Sequence, residues 1–231
     1  MSGGCTLILA ESSLETIPEE VAGHRSVVSD ARRRGLRPGE ILLDRSVHHS
    51  AILGLKDGGR RGRPDIVYHV LLDVASTPLF RAGLVDLYVH TLDDAVISAA
   101  RGLRPPRSYA RYERLMGQLF VKGEVGEGLL KVMPFGLKGL VGRLGADRVV
   151  GFSREGRRSE LEEVVKGVAD KKSVFVVGGF PRGGFSKYVL DLMDGLFSIS
   201  DAGLDASTVV NRLMYDIERA AGLGRDSGGS G

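Results

Sequence analysis

Residues 173–184 constrain the fold more than any other stretch of the chain, because a buried-strand pattern there runs directly into a glycine-rich loop. The run 173–177 (SVFVV) is short, apolar and β-branched, which is typical of a strand inside a parallel sheet. The loop that follows, GGFPRGG at 178–184, has a backbone that can approach a ligand closely. A second strand is predicted at 196–200, with another glycine-containing loop at 201–203. If the two strands are adjacent and parallel, their loops form a crevice in which small ligands commonly bind.

The spacing of the glycines narrows the class of ligand. Gly178 and Gly183 have the opening spacing of a phosphate loop, but Gly184 and Phe185 stand where lysine and serine or threonine are required. The loop also lacks the G-x-G-x-x-G pattern of a dinucleotide site. A nucleoside held by backbone amides and apolar walls fits better, and a nucleotide hydrolase is disfavoured. An ordinary glycine-rich turn between strand and helix is the alternative.

Residues 104–107 lead into 108–120, which predict an amphipathic helix with one face rich in arginine. At about 3.6 residues per turn, one side carries Tyr109, Tyr112, Leu115, Met116, Leu119 and Phe120. The opposite side carries Arg107, Arg111 and Arg114, with Arg104 in the preceding turn. Guanidinium groups pair with phosphate and stack on bases, so this side is interpreted as a nucleic-acid face. A solvated helix face without a partner is the alternative.

Apolar runs and turn residues predict the other elements. Strands are expected at 5–10, 41–44, 84–91, 95–99 and 148–153, of which 84–91 and 95–99 form a β-hairpin. Helices are expected at 12–22, 66–72, 159–169, 188–193 and 205–221. Strand and helix alternate from 148 to 221, which implies a parallel sheet with helices on its faces. Residues 30–39 are interpreted as a basic connection and 56–63 as a flexible basic loop.

Three helix starts carry capping residues. Asp65 and Asp205 are placed to cap the helices that follow them. Ser159 and Glu162 have the spacing of a capping box.

Composition excludes several classes of protein. The single cysteine, Cys5, excludes an intrachain disulfide and a cysteine-cluster metal site, which favours a reducing cytoplasm. No apolar run approaches the roughly 20 residues that span a bilayer, so no membrane association is expected. His48 and His49 have no acidic partner at zinc spacing, and we interpret them as structural or dimer-contact residues rather than metal ligands.

Several motifs, taken together and in order, resemble one known family. They are Leu42-Leu43-Asp44 with His48-His49, Gly62-Arg63-Pro64-Asp65-Ile66, Pro78-Leu79-Phe80-Arg81-Ala82-Gly83, Tyr88-Val89-His90-Thr91, Arg104-x-Pro106-Arg107, Arg111-Tyr112, Leu115-Met116-x-Gln118-Leu119, Val177-Gly178-Gly179-Phe180 and Ser198-Ile199-Ser200. The chain resembles the archaeal and eukaryotic ribosome-biogenesis methyltransferases that methylate N1 of a pseudouridine in small-subunit rRNA. The likeness covers nearly the whole chain, although 123–145 matches poorly and is left without a predicted structure.

The resemblance implies an α/β fold of the SPOUT class, a trefoil-knotted parallel sheet flanked by helices with a β-hairpin and helix extension. It implies one knotted methyltransferase domain at 1–223, with the extension around 84–100. The glycine-rich residues 224–231 have no counterpart in the family and are predicted to be a disordered tail.

The resemblance also implies site residues and partners. S-adenosylmethionine would be bound by Ser153, Arg154, Gly178, Gly179, Gly183, Ile199, Ser200, Asp201, Ala202, Gly203 and Leu204. The rRNA would be contacted by Arg63, Arg104, Arg107 and Arg111. Asp65 and Arg63 are the candidate catalytic residues, with Asp65 either accepting a proton or, as we prefer, holding Arg63. A homodimer is implied, and ribosomal assembly proteins are candidate further partners.

The sequence therefore leaves two functions open. The first is an S-adenosylmethionine-dependent methyltransferase acting on pseudouridine N1 in small-subunit rRNA. The alternative is an rRNA-binding assembly factor for the small subunit whose cofactor pocket is secondary or vestigial. The arginine face suits both functions, whereas binding of the cofactor separates them.

Overall fold

The computed structural model describes residues 4–168 and 171–223, which form one mixed sheet with helices on both faces. The strands are β1 (Cys5–Ser12), β2 (Val85–Thr91), β3 (Val96–Ala99), β4 (Glu124–Val125), β5 (Leu130–Val132), β6 (Arg148–Arg158), β7 (Ser173–Gly178) and β8 (Gly195–Ser198). The helices are α1 (Arg25–Arg34), α2 (Arg45–Ile52), α3 (Pro64–Ser76), α4 (Pro78–Arg81), α5 (Tyr109–Lys122), α6 (Leu137–Leu144), α7 (Leu161–Lys166), α8 (Lys187–Leu190) and α9 (Ala206–Ala220). The predicted tail at 224–231 lies outside the described residues.

The sheet has the order β4-β5-β3-β2-β1-β7-β6-β8. Strands β2, β1, β7, β6 and β8 are parallel to their neighbours, and β3, β5 and β4 add an antiparallel edge. The predicted hairpin is confirmed, since His90 pairs with Val96 and Leu87 with Ala99. The hairpin extends the main sheet, and β5 and β4 from the unassigned segment 123–145 continue it.

The central strand β1 is buried on both faces, which explains its continuous apolar sequence. Leu7 and Leu9 belong to the apolar cluster that includes residues of α3, α5 and α9. Ile8 and Ala10 belong to the cluster on the other face, which includes residues of α6 and α8. This alternation is the two-residue period of a strand. The parallel sheet predicted from the run 173–177 is therefore confirmed, with helix layers on both sides.

The parallel pairing of β6 with β8 shifts register along β6. Phe197 of β8 pairs with Phe152 and, after an irregular segment, again with Arg157. At Gly156 the two chains are so close that a Cβ would lie 2.5 Å from the backbone of Phe197, so only glycine fits there.

The predicted adjacency of the two glycine-loop strands is wrong. Strand β6 lies between β7 and β8, and both pair with it in parallel. The loops still meet at one edge of the sheet, because the carboxyl ends of all three strands lie on the same side. Strand β6 is also longer than expected, so Ser153 and Arg154 lie within it rather than in a loop.

Two predictions near the amino terminus are wrong. Residues 41–44 do not form a strand, and only an isolated bridge joins Thr16 to Leu42. Ile41 and Leu43 are buried in a separate apolar cluster against α1 and α2, so burial and not strand pairing explains the apolar run. The helix expected at 12–22 is reduced to a single 3-10 turn (Glu19–Val21).

The basic stretch at 30–34 is helical instead of a connection. Its helix, α1, begins after His24, whose side chain accepts a hydrogen bond from the Ser26 amide, and ends at Gly35 with φ 66°. A left-handed glycine at this position is a common helix terminator.

The predicted side-chain caps of α7 and α9 are not formed. Asp205 is the N-cap residue of α9, but its side chain makes no capping hydrogen bond. The N-cap of α7 is Glu160 and not Ser159, again with no side-chain cap, so the capping box is wrong. The last residue of the predicted helix, at 169, lies outside the described part of the chain.

Within residues 4–168 and 171–223, no helix has the length and apolar character needed to cross a membrane.

Candidate functional site

A cavity of about 650 Å³ lies at the carboxyl ends of β6, β7 and β8, beside the first turn of α3. All but two of the residues predicted to bind the cofactor line it. They are Ser153, Arg154, Gly178, Gly183, Ile199, Ser200, Ala202, Gly203 and Leu204. Three chain segments that are distant in sequence thus meet at one site, as expected for loops at one edge of a parallel sheet.

Gly179 and Asp201 do not line the cavity. Gly179 is fixed against β1, where its amide donates to the Ala10 carbonyl at 2.8 Å and a Cβ would lie 2.2 Å from Ser12 Oγ. Its role in the structure is therefore close packing of the loop on the sheet. Asp201 is exposed and accepts a hydrogen bond from Arg158 at 3.3 Å.

The cavity has apolar walls and a polar rim. The wall includes side chains that the sequence analysis did not select, namely Phe152, Phe180, Phe185, Phe197 and Val209. The rim carries Arg63, Asp65, Arg154, Glu155, Arg182 and Asp205. Apolar walls with a few charged groups at the mouth are typical of a site for a small organic ligand. Among the described residues, no three His, Cys, Asp or Glu side chains are grouped as metal ligands.

Arg63 and Asp65 form a bidentate ion pair at the rim. Arg63 Nε and Nη2 each donate to one Asp65 carboxylate oxygen at 2.8 Å. The pair is partly exposed, with 40% and 34% of the two side chains accessible. Hydrogen bonding to Asp65 raises the pKa of the Arg63 guanidinium above its usual value. The prediction that Asp65 caps α3 is wrong, because Arg63 is the N-cap residue and occupies the carboxylate.

The four arginines at 104, 107, 111 and 114 are exposed as predicted. They are called the helix arginines below, although Arg104 and Arg107 precede the first residue of α5. Within the described residues, none has an acidic group within 4 Å. Their guanidinium groups are therefore available to a ligand. The apolar side of α5 is packed as predicted, since Tyr112, Met116 and Leu119 are fully buried.

Three tyrosine hydroxyls fix α5 against the rest of the site. Tyr112 donates to the Pro64 carbonyl at 3.2 Å, between Arg63 and Asp65 in sequence. Tyr68 donates to the Arg107 carbonyl, and Tyr109 donates to Asp44 Oδ2 at 2.7 Å. Burial and this carboxylate raise the pKa of Tyr109 above its usual value, so its hydroxyl stays protonated. These hydrogen bonds therefore join the segment that carries the exposed arginines to the segment that carries Arg63 and Asp65 at the rim of the cavity.

The two adjacent histidines differ in environment. His48 is fully buried, its Nδ1 accepts from the Asp44 amide at 3.0 Å, and its Nε2 lies 3.4 Å from Asp30 Oδ2. Burial lowers the pKa of His48 below its usual value. His48 is therefore a structural residue, whereas His49 is exposed.

The loop at 56–63 is held against the end of β1 and the residues that follow it, although the sequence predicted a flexible segment. Arg60 pairs with Glu11 at 3.0 Å, and Arg61 Nε donates to Glu15 at 2.9 Å. The Arg63 amide donates to the Ser13 carbonyl at 3.2 Å. Arg60 and Arg61 are called the loop arginines below, and their partners lie more than 40 residues away in the sequence.

Two residues that line the cavity, His69 and Arg182, could have been found from the sequence. His69 lies one helical turn after Asp65, so helical spacing alone places both on the same face of α3. Arg182 lies inside the glycine-rich loop 178–184. The aromatic wall carries no such signal, because an apolar side chain in a core and one in a ligand pocket look alike in a sequence.

Comparisons with known proteins identify the family to which the chain is similar. The sequence model of the family described as EMG1/NEP1 methyltransferase matches residues 7–218. A Pyrobaculum neutrophilum protein named ribosomal RNA small subunit methyltransferase Nep1 is 45% identical over 221 residues, which is 94% of this chain and 99% of that protein. The protein of the same name from Thermococcus kodakarensis is 39% identical over 222 residues, again 94% and 99% of the two chains.

The fold is also similar to that of a solved structure from a named relative. The crystal structure of Archaeoglobus fulgidus Nep1 bound to S-adenosylhomocysteine superposes with a TM-score of 0.83 at 34% identity. The match covers 96% of this chain and 100% of the other.

Proposed function

Because the chain belongs to the EMG1/NEP1 methyltransferase family, we propose that it methylates N1 of a pseudouridine in small-subunit rRNA. The enzyme class is an S-adenosylmethionine-dependent methyltransferase of small-subunit rRNA. The observation that supports the proposal most strongly is the position of the Arg63–Asp65 pair. The pair lies at the rim of the cavity, and Tyr112 of α5 donates a hydrogen bond to Pro64 between the two residues. The same helix carries exposed arginines.

The residues of the cavity fit S-adenosylmethionine. Gly183 has φ +84°, a left-handed conformation that exposes backbone amides without a side chain in the way. Phe152, Phe197 and Val209 offer apolar surface for an adenine ring, and Ser200 and Asp205 offer polar groups at the rim. Among the residues that the structure describes, no lysine lines the cavity, which suits a ligand that lacks a triphosphate.

The chain contributes binding, orientation and exclusion of water. The cofactor supplies a methyl group already activated by its positive sulfur. The protein therefore needs mainly to hold the acceptor nitrogen in line with that group, which lowers the barrier by several kcal/mol. The apolar walls keep water away from the reacting atoms. An acceptor base must leave the RNA stack to enter the cavity, which favours a nucleotide in a loop.

We assign Arg63 to the bound nucleotide and Asp65 to holding Arg63. The two hydrogen bonds to Asp65 fix the orientation of the Arg63 guanidinium plane relative to the cavity. Pseudouridine N1 must also lose a proton, and Asp65 is the carboxylate nearest in sequence to Arg63 that could accept it. Asp65→Asn separates these roles from a purely structural one. Unchanged RNA affinity together with unchanged turnover would exclude both.

The helix arginines are proposed to bind the rRNA backbone. A row of unpaired guanidinium groups suits phosphates better than it suits solvent, because a solvated face usually alternates in sign. Arg104, Arg107 and Arg111 are the contacts implied by the family resemblance, and Arg114 lies on the same side of α5.

The proposal also includes a single catalytic domain at 1–223 with the extension at 84–100, and a homodimer in which RNA crosses from one subunit to the other. Light scattering of the purified protein tests the dimer, with twice the 24.8 kDa chain mass expected. Ribosomal assembly proteins are proposed as further partners. A cytoplasmic location is proposed because the buried thiol Cys5 has no disulfide partner.

A methylation assay tests the proposed reaction. Small-subunit rRNA fragments that carry either pseudouridine or uridine at the target are incubated with the protein and methyl-labelled S-adenosylmethionine. We expect label in the pseudouridine fragment alone, because only pseudouridine presents a free N1. Equal labelling of both fragments would contradict the assignment to N1. Calorimetry that finds no cofactor binding would favour the assembly-factor alternative.

A further inference from the structure

Glu11 combines three features that a strand residue rarely shows together. Its φ is +50°, in the left-handed region that non-glycine residues seldom adopt. It lies where the pairing of β1 with β2 shifts register, between Leu9 and Ser12. Its side chain is also buried, with 9% accessible. A strained backbone at a strand irregularity re-aims a side chain and is enriched next to functional sites.

The re-aimed carboxylate binds two elements that belong to different parts of the site. Glu11 Oε2 accepts from Arg60 at 3.0 Å, in the loop that carries Arg63. The same oxygen accepts from the Ser186 amide at 3.1 Å, at the end of the glycine-rich loop. The Glu11 amide donates to His90 Nδ1 at 3.1 Å, which stabilises the strained conformation.

The same guanidinium group of Arg60 that pairs with Glu11 also reaches the wall of the cavity. Its guanidinium carbon lies 4.2 Å from the centroid of the Phe180 ring, a cation–π geometry. Phe180 packs edge-on against Phe185 with 5.5 Å between the ring centroids, and both rings line the cavity. Gly178 accommodates Phe180, since a Cβ there would lie 2.8 Å from the ring.

We infer that Glu11 and Arg60 are positioning residues for the methyl donor. Together they hold Phe180 and the loop through Ser186 in the conformation that forms one wall of the cavity. Neither residue lines the cavity, so each acts through Phe180 and the loop rather than by contact with the ligand. The choice of donor as the ligand rests on the proposed function.

A neighbouring ion pair provides a matched control. Arg61 and Glu15 form a pair of the same kind in the same loop, with side-chain exposures of 17% and 8%. Neither residue contacts the glycine-rich loop in the described hydrogen bonds and ion pairs. Arg61→Met therefore removes a comparable ion pair without releasing Phe180.

Two measurements are made on Arg60→Met, Arg61→Met and the unaltered protein. The first is calorimetric titration with S-adenosylhomocysteine. The second is amide hydrogen exchange of peptides covering 178–190 in the absence of any ligand. We expect Arg60→Met to weaken binding about tenfold and to speed exchange of these amides. We expect Arg61→Met to leave binding within about twofold and to speed this exchange less than Arg60→Met does.

Two further variants keep the inference falsifiable if Arg60→Met does not fold. Arg60→Lys retains a charge for Glu11 but loses the planar group over the ring, so we expect intermediate affinity. Glu11→Gln retains size and loses the ion pair, so faster exchange at Ser186 is expected.

Equal effects of Arg60→Met and Arg61→Met on binding and exchange would overturn the inference, because both pairs would then be merely structural. Unchanged binding and exchange in Arg60→Lys and Glu11→Gln would overturn it as well. If the unaltered protein binds no S-adenosylhomocysteine, the proposed function fails. Exchange in the ligand-free protein still tests whether Glu11 and Arg60 hold the loop.

Discussion

The loop arginines and the helix arginines are the same residue type in two opposite roles. Arg60 and Arg61 are partly buried, and each pairs with a glutamate. The helix arginines are exposed and, in the described part of the chain, have no acidic neighbour within 4 Å. The comparison teaches that arginine content alone does not identify a nucleic-acid surface. The position of acidic partners decides which arginines are structural and which are available to a ligand.

Arg63 lies between these two groups. It shares the loop with Arg60 and Arg61, yet its pair with Asp65 is partly exposed and faces the cavity. A paired arginine at the rim keeps a fixed orientation and remains accessible. This combination distinguishes it from both sets.

Folding stability gives the largest expected contrast between the two sets. Arg61→Met leaves the buried Glu15 carboxylate without its partner, so we expect a loss of about 3 kcal/mol in the free energy of unfolding. Arg111→Ala removes an exposed side chain without a partner, so a change within about 0.5 kcal/mol is expected. Urea unfolding of both variants measures the contrast. Equal losses would mean that the helix arginines are structural as well.

Turnover gives the next largest effect and concerns Arg63. We expect Arg63→Ala to lower methylation about 100-fold, because misplacing the acceptor nucleotide by about 1 Å costs that much. Unfolding should change little, since the Arg63–Asp65 pair is partly exposed. Single-turnover methylation kinetics and urea unfolding of one preparation test both statements. A variant with normal turnover would remove Arg63 from the catalytic assignment.

RNA affinity sharpens the comparison further. Arg107→Ala and Arg111→Ala should each weaken rRNA binding and lower the slope of log affinity against log salt by about 1, because each removes a phosphate contact. Arg61→Met serves as the control and should keep the slope of the unaltered protein. Fluorescence anisotropy over a range of salt concentrations measures it. Identical slopes in all three variants would assign α5 a different role.

The pH dependence of stability is the smallest expected effect. It concerns His90, which lies next to Glu11, the partner of Arg60. His90 is buried beside Asp94 and Glu11, and burial lowers its pKa below the usual value. The folded state therefore keeps His90 neutral while the unfolded chain takes up a proton below about pH 6.5. Stability should then fall as pH drops below about 6.5, until His90 is protonated in the folded state too. His90→Asn should flatten this part of the profile, measured by urea unfolding between about pH 5.5 and 7.5. If the slope of stability against pH were the same in His90→Asn and the unaltered protein, this prediction would be contradicted.

The sequence predicted those parts of the molecule that depend on local periodicity. The buried run at 173–177, the hairpin and the two faces of α5 were all correct, because each follows from a repeat of two or about 3.6 residues. The edge at which the cavity lies was also correct, since glycine-rich loops after parallel strands meet there.

Features that depend on distant partners were missed. Residues 41–44 have the composition of a strand, but Ile41 and Leu43 are buried in a third apolar cluster without a neighbouring strand. The loop arginines appeared to be a basic loop, because Glu11 and Glu15 lie in another part of the sequence. The left-handed backbone at Glu11 has no local signal at all, since glutamate gives no hint of positive φ.

The most direct measurement is the position of the transferred methyl group. Nucleosides released from a pseudouridine-containing small-subunit rRNA fragment, after incubation with the protein and a methyl-labelled donor, can be identified by mass spectrometry and NMR. We predict that the label is found on N1 of a single pseudouridine and is strongly reduced with Arg63→Ala. Label on a ribose, on another base or on no nucleoside, while the donor still binds, would contradict the assignment of this cavity to pseudouridine N1 methylation.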